Sequence, residues 1–404
     1  MYKILIVCIG NEILLGKTIN TNLAYLGKML FQSGYKISTS TTIPDNPEII
    51  QSTLSSAWKK YDIIISMGGL GPTQDDLTRK SIAHSFGKSL EFKPKIWEKI
   101  KNQRKQNGQK VLKSLRSMAH VPGDFTTMEN RIGTAPGLHY SQQKKEFFAL
   151  PGVPDEMKYI FGNSIIPYLK QTLPGTPRLI KTIRTATIRE IDLHEKLKRV
   201  KPAAESKIAF LPKPGLVDIR IESLKQTDLD RIVQNIQAEV GQYIYGFDHD
   251  TIQSACHEKL LKNNKTLALA ESCTGGLIQN YFTDNPGSSE YFLGGVVSYS
   301  NFAKKKFLDV KQKTLEQHGA VSRETVHEML EGTRSGFGSD IALAVSGIAG
   351  PAGGTKEKPV GLVYVGLWFE GKIDIRACNF SGTRLQIKQQ SAVMALFMLF
   401  KSLK

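Results

Sequence analysis

The chain has 404 residues, 40% of them hydrophobic and 8% aromatic, and a formal net charge of +17. That length is too great for one ordinary core and sets an expectation of on the order of two or three domains. Its apolar runs, such as Ile4 to Ile9, are strand-sized and far short of a membrane span. The four cysteines, Cys8, Cys256, Cys273 and Cys378, are scattered with no Cys-x-x-Cys pair, which argues against a zinc site or a disulfide framework. The start, Met1-Tyr2-Lys3 and a short apolar run, lacks the long apolar region of a signal peptide, so the expected location is cytoplasmic, with no membrane partner.

Residues 3 to 10 read as a strand buried on both faces, followed by a loop from Gly10 to Lys17. Asn20 or Thr21 can cap a helix carrying Leu23, Leu26 and Leu30, closed by Gly34. A second strand, Ile37 to Thr42, is broken by Pro44-Asp45-Asn46, and Pro47 to Lys59 is helical. A third strand, Asp62 to Met67, delivers Gly68-Gly69-Leu70-Gly71-Pro72-Thr73-Gln74-Asp75-Asp76, and a helix follows from about Leu77. This β–α alternation predicts a parallel, doubly wound sheet. Its glycine loop can turn backbone amides towards a phosphate, and Asp75 and Asp76 can hold a hard divalent cation against a pyrophosphate. Asp76 could equally cap the next helix; the position at a strand end favours ligand binding.

Lys93, Lys95, Lys99, Lys101, Arg104, Lys105, Lys110, Lys113 and Arg116 face only Glu98, which reads as an exposed basic helical hairpin. Trp97 is its one strong aromatic, so it offers no platform for stacking bases. A nucleic-acid partner is therefore not expected, although the positive field would collect anionic nucleotides. Pro174 to Pro177 reads as a linker. Beyond it Leu179 to Thr187 and Leu216 to Ser223 alternate as strands, Ile191 to Val200 reads as a helix, and Thr227 to Val240 is an amphipathic helix, giving a small α+β unit.

Thr251 to Leu261 is a helix that opens the last third. Leu267 to Ile278 reads Leu-Ala-Leu-Ala-Glu-Ser-Cys-Thr-Gly-Gly-Leu-Ile: a buried strand, a tight turn and a helix start. This places Ser272 at the carboxyl edge of a sheet, where open α/β sheets bind ligands, with helix-start amides nearby. Ser272 and Thr274 could merely cap that helix. Two further strand ends change the balance. Val296 to Asn301 carries Tyr299 and is followed by Lys304, and Ala342 to Gly354 runs from an apolar strand into a glycine-rich loop that lacks the Gly-Lys-Ser/Thr ending of a P-loop. Gly319 to Ser322 starts a helix, Val360 to Phe369 and Lys372 to Asn379 are strands, and a closing helix follows Ser381-Gly382-Thr383-Arg384. A serine, a tyrosine, a lysine and a phosphate-cradling loop together suggest an amide or ester hydrolase for a phosphorylated small molecule.

Glu-Ser-Cys-Thr-Gly-Gly, Tyr-Ser-Asn with a lysine three residues on, Ser-Gly-Ile-Ala-Gly-Pro-Ala-Gly-Gly-Thr and Lys358-Pro359-Val360-Gly361 resemble the carboxy-terminal domain of the CinA family (competence/damage-inducible protein A). That domain is similar to nicotinamide mononucleotide deamidases. Gly10 to Gly16, Asn20-Thr21-Asn22, Asp45-Asn46, Gly68 to Asp76, Asn130 with Gly133 to Gly137, and Pro151-Gly152-Val153-Pro154 with Glu156 resemble the molybdopterin-binding-like amino-terminal domain of the same family. The stretch between resembles its KH-like middle domain, without the Gly-x-x-Gly loop with which a KH domain clamps nucleic acid. It is read as an interdomain and dimer-forming module. The implied fold class is α/β, with a doubly wound parallel-sheet domain at 1–172, a small α+β KH-like domain at 173–248 and an α/β domain at 249–404.

The resemblance implies hydrolysis of nicotinamide mononucleotide to nicotinate mononucleotide and ammonia. Ser272 would be the nucleophile, Lys304 the base, and Tyr299 would orient or relay the proton. Glu271, Thr274, Gly275 and Gly276 would face the substrate, with amides near Thr274 and Gly275 holding the oxyanion. Ser346, Gly347, Gly350, Gly353, Gly354 and Arg384 would hold ribose and phosphate. No cofactor is implied there. In the amino-terminal domain the resemblance implies a divalent-metal-dependent ADP-ribose pyrophosphatase. Asp45, Asp75 and Asp76 would face Mg, Mn or Co, with K a further candidate cation. Gly69, Gly71, Thr73, Glu12, Asn22 and Glu156 would line the nucleotide pocket. Asn11 stands where Asp is frequent, which removes a charge near the metal, and Met67 where Thr is frequent. The implied partners are the two nucleotides and a second copy of the chain. The alternatives are a deamidase whose amino-terminal half only binds nucleotide, a molybdopterin-handling enzyme, and a non-enzymatic adaptor in competence or DNA recombination.

Overall fold

The computed structural model describes residues 2–73, 77–106 and 108–403. They form two compact units, Met1–Arg178 and Leu179–Lys404. Among the described residues no helix is long and apolar enough to cross a membrane.

In the first unit the strands are β1 (Ile4–Ile9), β2 (Ile37–Ile43), β3 (Ile63–Met67), β4 (Leu90–Phe92), β5 (His120–Pro122), β6 (Thr126–Met128), β7 (Gly137–Gln142) and β8 (Lys145–Leu150). The main sheet runs β2-β1-β3-β8-β7-β6. Strands β2, β1, β3 and β8 are parallel, and β7 and β6 return antiparallel. The all-apolar β1 is explained by helices on both faces. Leu5, Val7 and Ile9 enter one apolar cluster, while Ile4, Ile6 and Cys8 enter the other. Each such side chain contributes roughly 1.5–3 kcal/mol on burial. Asn20 caps the helix Thr21–Gln32 by accepting from the Leu23 amide at 3.0 Å, and Asn46 caps Pro47–Lys60. The carboxyl ends of β1, β2, β3 and β8 thus bring Gly10 to Glu12, Asp45, Gly68 to Gly71 and Gly152 to one edge.

Two expectations are corrected. The basic segment is not a pair of helices: Pro94–Gln106 is α-helical, but the second arm is the 3₁₀ segment Lys113–Ala119. The sheet is not wholly parallel, because β7 and β8 form a hairpin whose turn puts Gln143 and Lys144 at φ 52 and 65. Such turns usually carry Gly or Asn, so this one has no turn signal in its sequence.

In the second unit β9 (Leu179–Ala186), β10 (Lys207–Lys213), β11 (Leu216–Ser223) and β12 (Ile244–Phe247) form an antiparallel sheet ordered β10-β11-β9-β12. Leu229, Ile232, Ile236 and Val240 of the helix Gln226–Val240 are buried in one apolar cluster with β-strand residues Val217, Ile219 and Ile221. The helix expected over 191–200 is shorter, Glu190–Lys196. The remaining strands are β13 (Leu267–Glu271), β14 (Phe292–Val297), β15 (Ile341–Gly347), β16 (Leu362–Phe369) and β17 (Lys372–Asn379), in the order β14-β13-β15-β16-β17. The first three are parallel and the last two antiparallel. The closing helix, Arg384–Ser402, begins with a capping box from Thr383 and Gln386 and buries Ile387, Ala392, Leu396 and Leu399.

Candidate active site

Ser272 is the first residue beyond β13, between the carboxyl ends of two parallel neighbours. Its amide donates to the Val345 carbonyl of β15 at 2.9 Å, and on the other side the Ser298 amide donates to the Glu271 carbonyl at 2.7 Å. The helix Asn301–Leu308, capped by the Ser300 hydroxyl, carries Lys304 underneath this edge. The Lys304 Nζ donates to Ser272 Oγ at 2.9 Å and to the Ser298 carbonyl at 2.7 Å. Lys304 is 1% exposed and Ser272 8%. Burial lowers the lysine pKa from 10.5 to about 8, because an ammonium loses its hydration there. About one tenth of the molecules then carry a neutral amine at pH 7. The structure therefore brings a serine hydroxyl and a deprotonatable lysine into direct contact. Cys273 is no rival nucleophile, since burial pushes its thiol up to about 12.

The other expected residues distribute unevenly around this pair. Glu271 is fully buried, and its carboxylate accepts from the amides of Gly276 at 3.0 Å, Ile278 at 3.2 Å and Gln279 at 2.8 Å. This corrects its expected contact with substrate: it satisfies the start of the helix Leu277–Thr283. Those amides, Gly276's among them, are consequently not open to an anion. The Gly275 amide donates to the Ser272 carbonyl at 3.1 Å, so it too is engaged. Gly275 and Gly276 serve the turn through φ values of 63 and 93. Thr274 is fully buried beside them, and its Oγ1 has no partner among the described residues.

Tyr299, expected to orient or relay the proton, makes no hydrogen bond to Ser272 or Lys304 among the described residues. Its side chain is 61% exposed, and its hydroxyl accepts from Arg384 Nη2 at 2.6 Å. Arg384 also donates to the Gly350 carbonyl at 2.6 Å, which ties the tyrosine, the closing helix and the glycine-rich loop together. Ser346 donates to the Ala320 carbonyl at 2.6 Å. A Cβ at Gly347 or Gly350 would stand 2.6 Å from Val363 or Val360, and one at Gly354 2.7 Å from the Val360 backbone. These three glycines are needed for close packing of the loop, whereas Gly353 has no atom nearer than 3.9 Å. Sequence reasoning missed the Ser298 carbonyl, which carries no side-chain signal. It also missed Lys388, whose Nζ would lie 3.6 Å from a Cβ at Gly275. Its spacing from Arg384, one helical turn, is the signal that could have found it.

In the first unit a cavity of about 560 Å³ is lined by Gly10, Asn11, Glu12, Asp45, Gly68, Gly69 and Gly152. Asp45 Oδ2 accepts from the Asn11 amide at 2.9 Å. A neighbouring cavity of about 580 Å³ holds Gly69, Gly71 and Glu156. Burial raises the Glu156 pKa, opposed by a hydrogen bond from Asn130 Nδ2 at 2.5 Å. Asn22 Nδ2 fastens the Gly152 carbonyl at 2.8 Å, and Thr73 is exposed. Asp75 and Asp76 lie outside the described residues. Among those described, no three His, Cys, Asp or Glu side chains form a metal-holding group.

Comparison with known proteins accounts for the whole chain. Residues 5–171 match the family described as a probable molybdopterin binding domain, residues 180–246 the damage-inducible protein CinA KH domain, and residues 249–403 the CinA C-terminal domain. A CinA-like protein of Endomicrobium trichonymphae is 38% identical over 99% of this chain and 98% of its own. One from Kosmotoga olearia is 36% identical over 97% and 96%. A crystal structure of a CinA superfamily protein from Klebsiella pneumoniae is 33% identical over 37% of this chain and 94% of its own, with a TM-score of 0.37. With full-length relatives at this identity and its three segments matched in order, the chain belongs to the CinA family.

Proposed function

We propose that the carboxy-terminal part of the chain is an amidohydrolase that converts nicotinamide mononucleotide to nicotinate mononucleotide and ammonia. The observation that carries the reading is the buried contact of 2.9 Å between Lys304 Nζ and Ser272 Oγ. A neutral Lys304 accepts the Ser272 proton as the oxygen attacks the carboxamide carbon. The resulting ammonium passes that proton to the leaving nitrogen, the C–N bond breaks, and ammonia departs. Water then attacks the serine ester as Lys304 takes its proton, and Lys304 returns that proton to Ser272 Oγ as the ester C–O bond breaks and the carboxylate product is released. The Ser298 carbonyl keeps the amine aimed at Ser272 throughout. Since the Gly275 and Gly276 amides are engaged, the developing oxyanion is assigned to the turn at Cys273 and Thr274. Arg384 holds Tyr299 and Gly350 in place at the mouth of the site.

The test is ammonia release from nicotinamide mononucleotide by the purified chain, beside Lys304→Ala. Release that vanishes in the variant supports the reading; no release from the wild-type chain refutes it. For the first unit we propose nucleotide binding in the cavity beside Asp45, with hydrolysis of the ADP-ribose pyrophosphate as its activity. The oxygen donors Asp45 and Glu12 on that cavity suit a hard divalent cation, which would neutralise a pyrophosphate there. A cytoplasmic location and a homodimer complete the proposal.

A further inference from the structure

The closing helix presents two cations to the serine turn, and they are not equivalent. Arg384 is already engaged by the Tyr299 hydroxyl and the Gly350 carbonyl. Lys388 lies one turn further along the same face. It is half-buried, and among the described residues its ammonium has no acceptor and no ion pair. Its Nζ would stand 3.6 Å from a Cβ at Gly275, so the absence of a side chain there leaves the space between the ammonium and the turn open. The Gly275 amide closes on the Ser272 carbonyl at 3.1 Å. This four-residue turn keeps Gly275 within about 7 Å of the nucleophile, Cα to Cα. A second unsatisfied group borders the same turn, the fully buried Thr274 hydroxyl without a partner. An ammonium held beside this turn without a protein acceptor is available to an anionic group of a ligand bound there. Lys388 therefore lies against the same turn that carries the nucleophile, on its Gly275 side.

We propose that Lys388 is the phosphate-recognising residue of the amidase site and selects a nucleotide over its nucleoside. The proposal rests on the amidase reading above and reassigns to Lys388 the phosphate contact expected of Arg384. The dianionic 5′-phosphate of a mononucleotide supplies the charge that Lys388 lacks, with the carboxamide placed at Ser272.

The experiment compares kcat/KM for nicotinamide mononucleotide and for nicotinamide riboside in the wild type, Lys388→Met and Lys388→Arg. A hydrogen bond to a charged group is worth about 1.5–3 kcal/mol, so the preference for the nucleotide is expected to fall roughly 10- to 100-fold in Lys388→Met, through KM, and to be partly restored in Lys388→Arg. An unchanged preference, with both substrates lost equally or neither affected, overturns the proposal. Calorimetric binding of nicotinamide mononucleotide to Ser272→Ala with and without Lys388→Met provides a readout independent of turnover. If the wild type releases no ammonia from either substrate, the amidase reading fails. Lys388 is then judged on that binding alone: about a tenfold or greater weakening sustains it as the phosphate contact, and equal affinities overturn it. Circular dichroism of each variant separates either result from misfolding.

Discussion

Replacing Lys304 by Met should abolish ammonia release and at the same time flatten one component of the protein's pH-dependent stability. Burial holds the folded-state pKa of Lys304 at about 8, against 10.5 for the free side chain. That difference corresponds to roughly 3 kcal/mol favouring the neutral form in the fold. The sign follows from proton counts: between the two pKa values the unfolded chain still binds the proton and the folded chain does not, so stability rises with pH in that window. Between pH 7 and pH 10 the rise is roughly 2–3 kcal/mol, and it is absent from Lys304→Met. Below pH 8 the wild type carries a buried ammonium, so the variant is expected to be no less stable there, despite losing the hydrogen bonds to Ser272 and Ser298. The assay is urea unfolding of both proteins at pH 7 and pH 10, read as a double difference in which other titrating groups cancel. A double difference below about 0.5 kcal/mol would show that Lys304 is solvated in the folded protein, and the case for a neutral base at moderate pH would fall with it.

Ser272→Ala is expected to leave the melting temperature within a few degrees of wild type and to lower ammonia release on the order of a thousandfold or more; residual turnover near wild type removes the serine from the mechanism. Deamidation should increase as pH rises through about 8, following the free lysine amine, and a profile flat from pH 6 to 9 would refute the assignment of the base. Glu271→Gln should cost about 2–3 kcal/mol in denaturant unfolding, because its carboxylate accepts three helix amides. A changed KM at unchanged stability would instead return Glu271 to the substrate. Asn11→Asp, which adds a carboxylate beside Asp45, should tighten Mn²⁺ binding to the first unit several-fold by calorimetry; weaker or equal binding would place the cation elsewhere.

The parts of this architecture that could be read from the sequence are those where one segment decides its own structure. The runs Ile4 to Ile9 and Leu267 to Glu271 are short, apolar and bounded by polar or glycine-rich turns, so they read as strands covered on both faces. Asn20 announced a helix because a capping side chain acts within three residues. Where the outcome depends on distant partners, the sequence was silent. The β7–β8 hairpin turns on Gln143 and Lys144, residues that fit many conformations, and is held by pairing with β3. Ser272 and Lys304 each had the right chemistry, but only the parallel β13–β14 pairing carries the strand ends that put them in contact. Glu271 misled because a carboxylate beside a candidate nucleophile resembles a substrate contact, and nothing local reveals that the following helix uses it. Lys388 hid among many surface lysines, since its distinction is the lack of a partner.

The closing helix also limits how the second unit can be divided. One face carries Arg384 and Lys388 to the serine turn; another packs on the small antiparallel sheet. Ala186 and Tyr245 of that sheet share an apolar cluster with Ala392 and Leu396, and a Cβ at Gly215 would stand 3.1 Å from Val393. A fragment cut to begin near residue 249 would keep every group assigned to the amidase chemistry and yet expose Val393, Met394 and their neighbours to water. To be portable as a free-standing catalyst, it would need polar replacements at 393 and 394, chosen to leave the other face of the same helix undisturbed. The small sheet thus acts as a permanent cover for a site whose proposed reacting groups it does not supply.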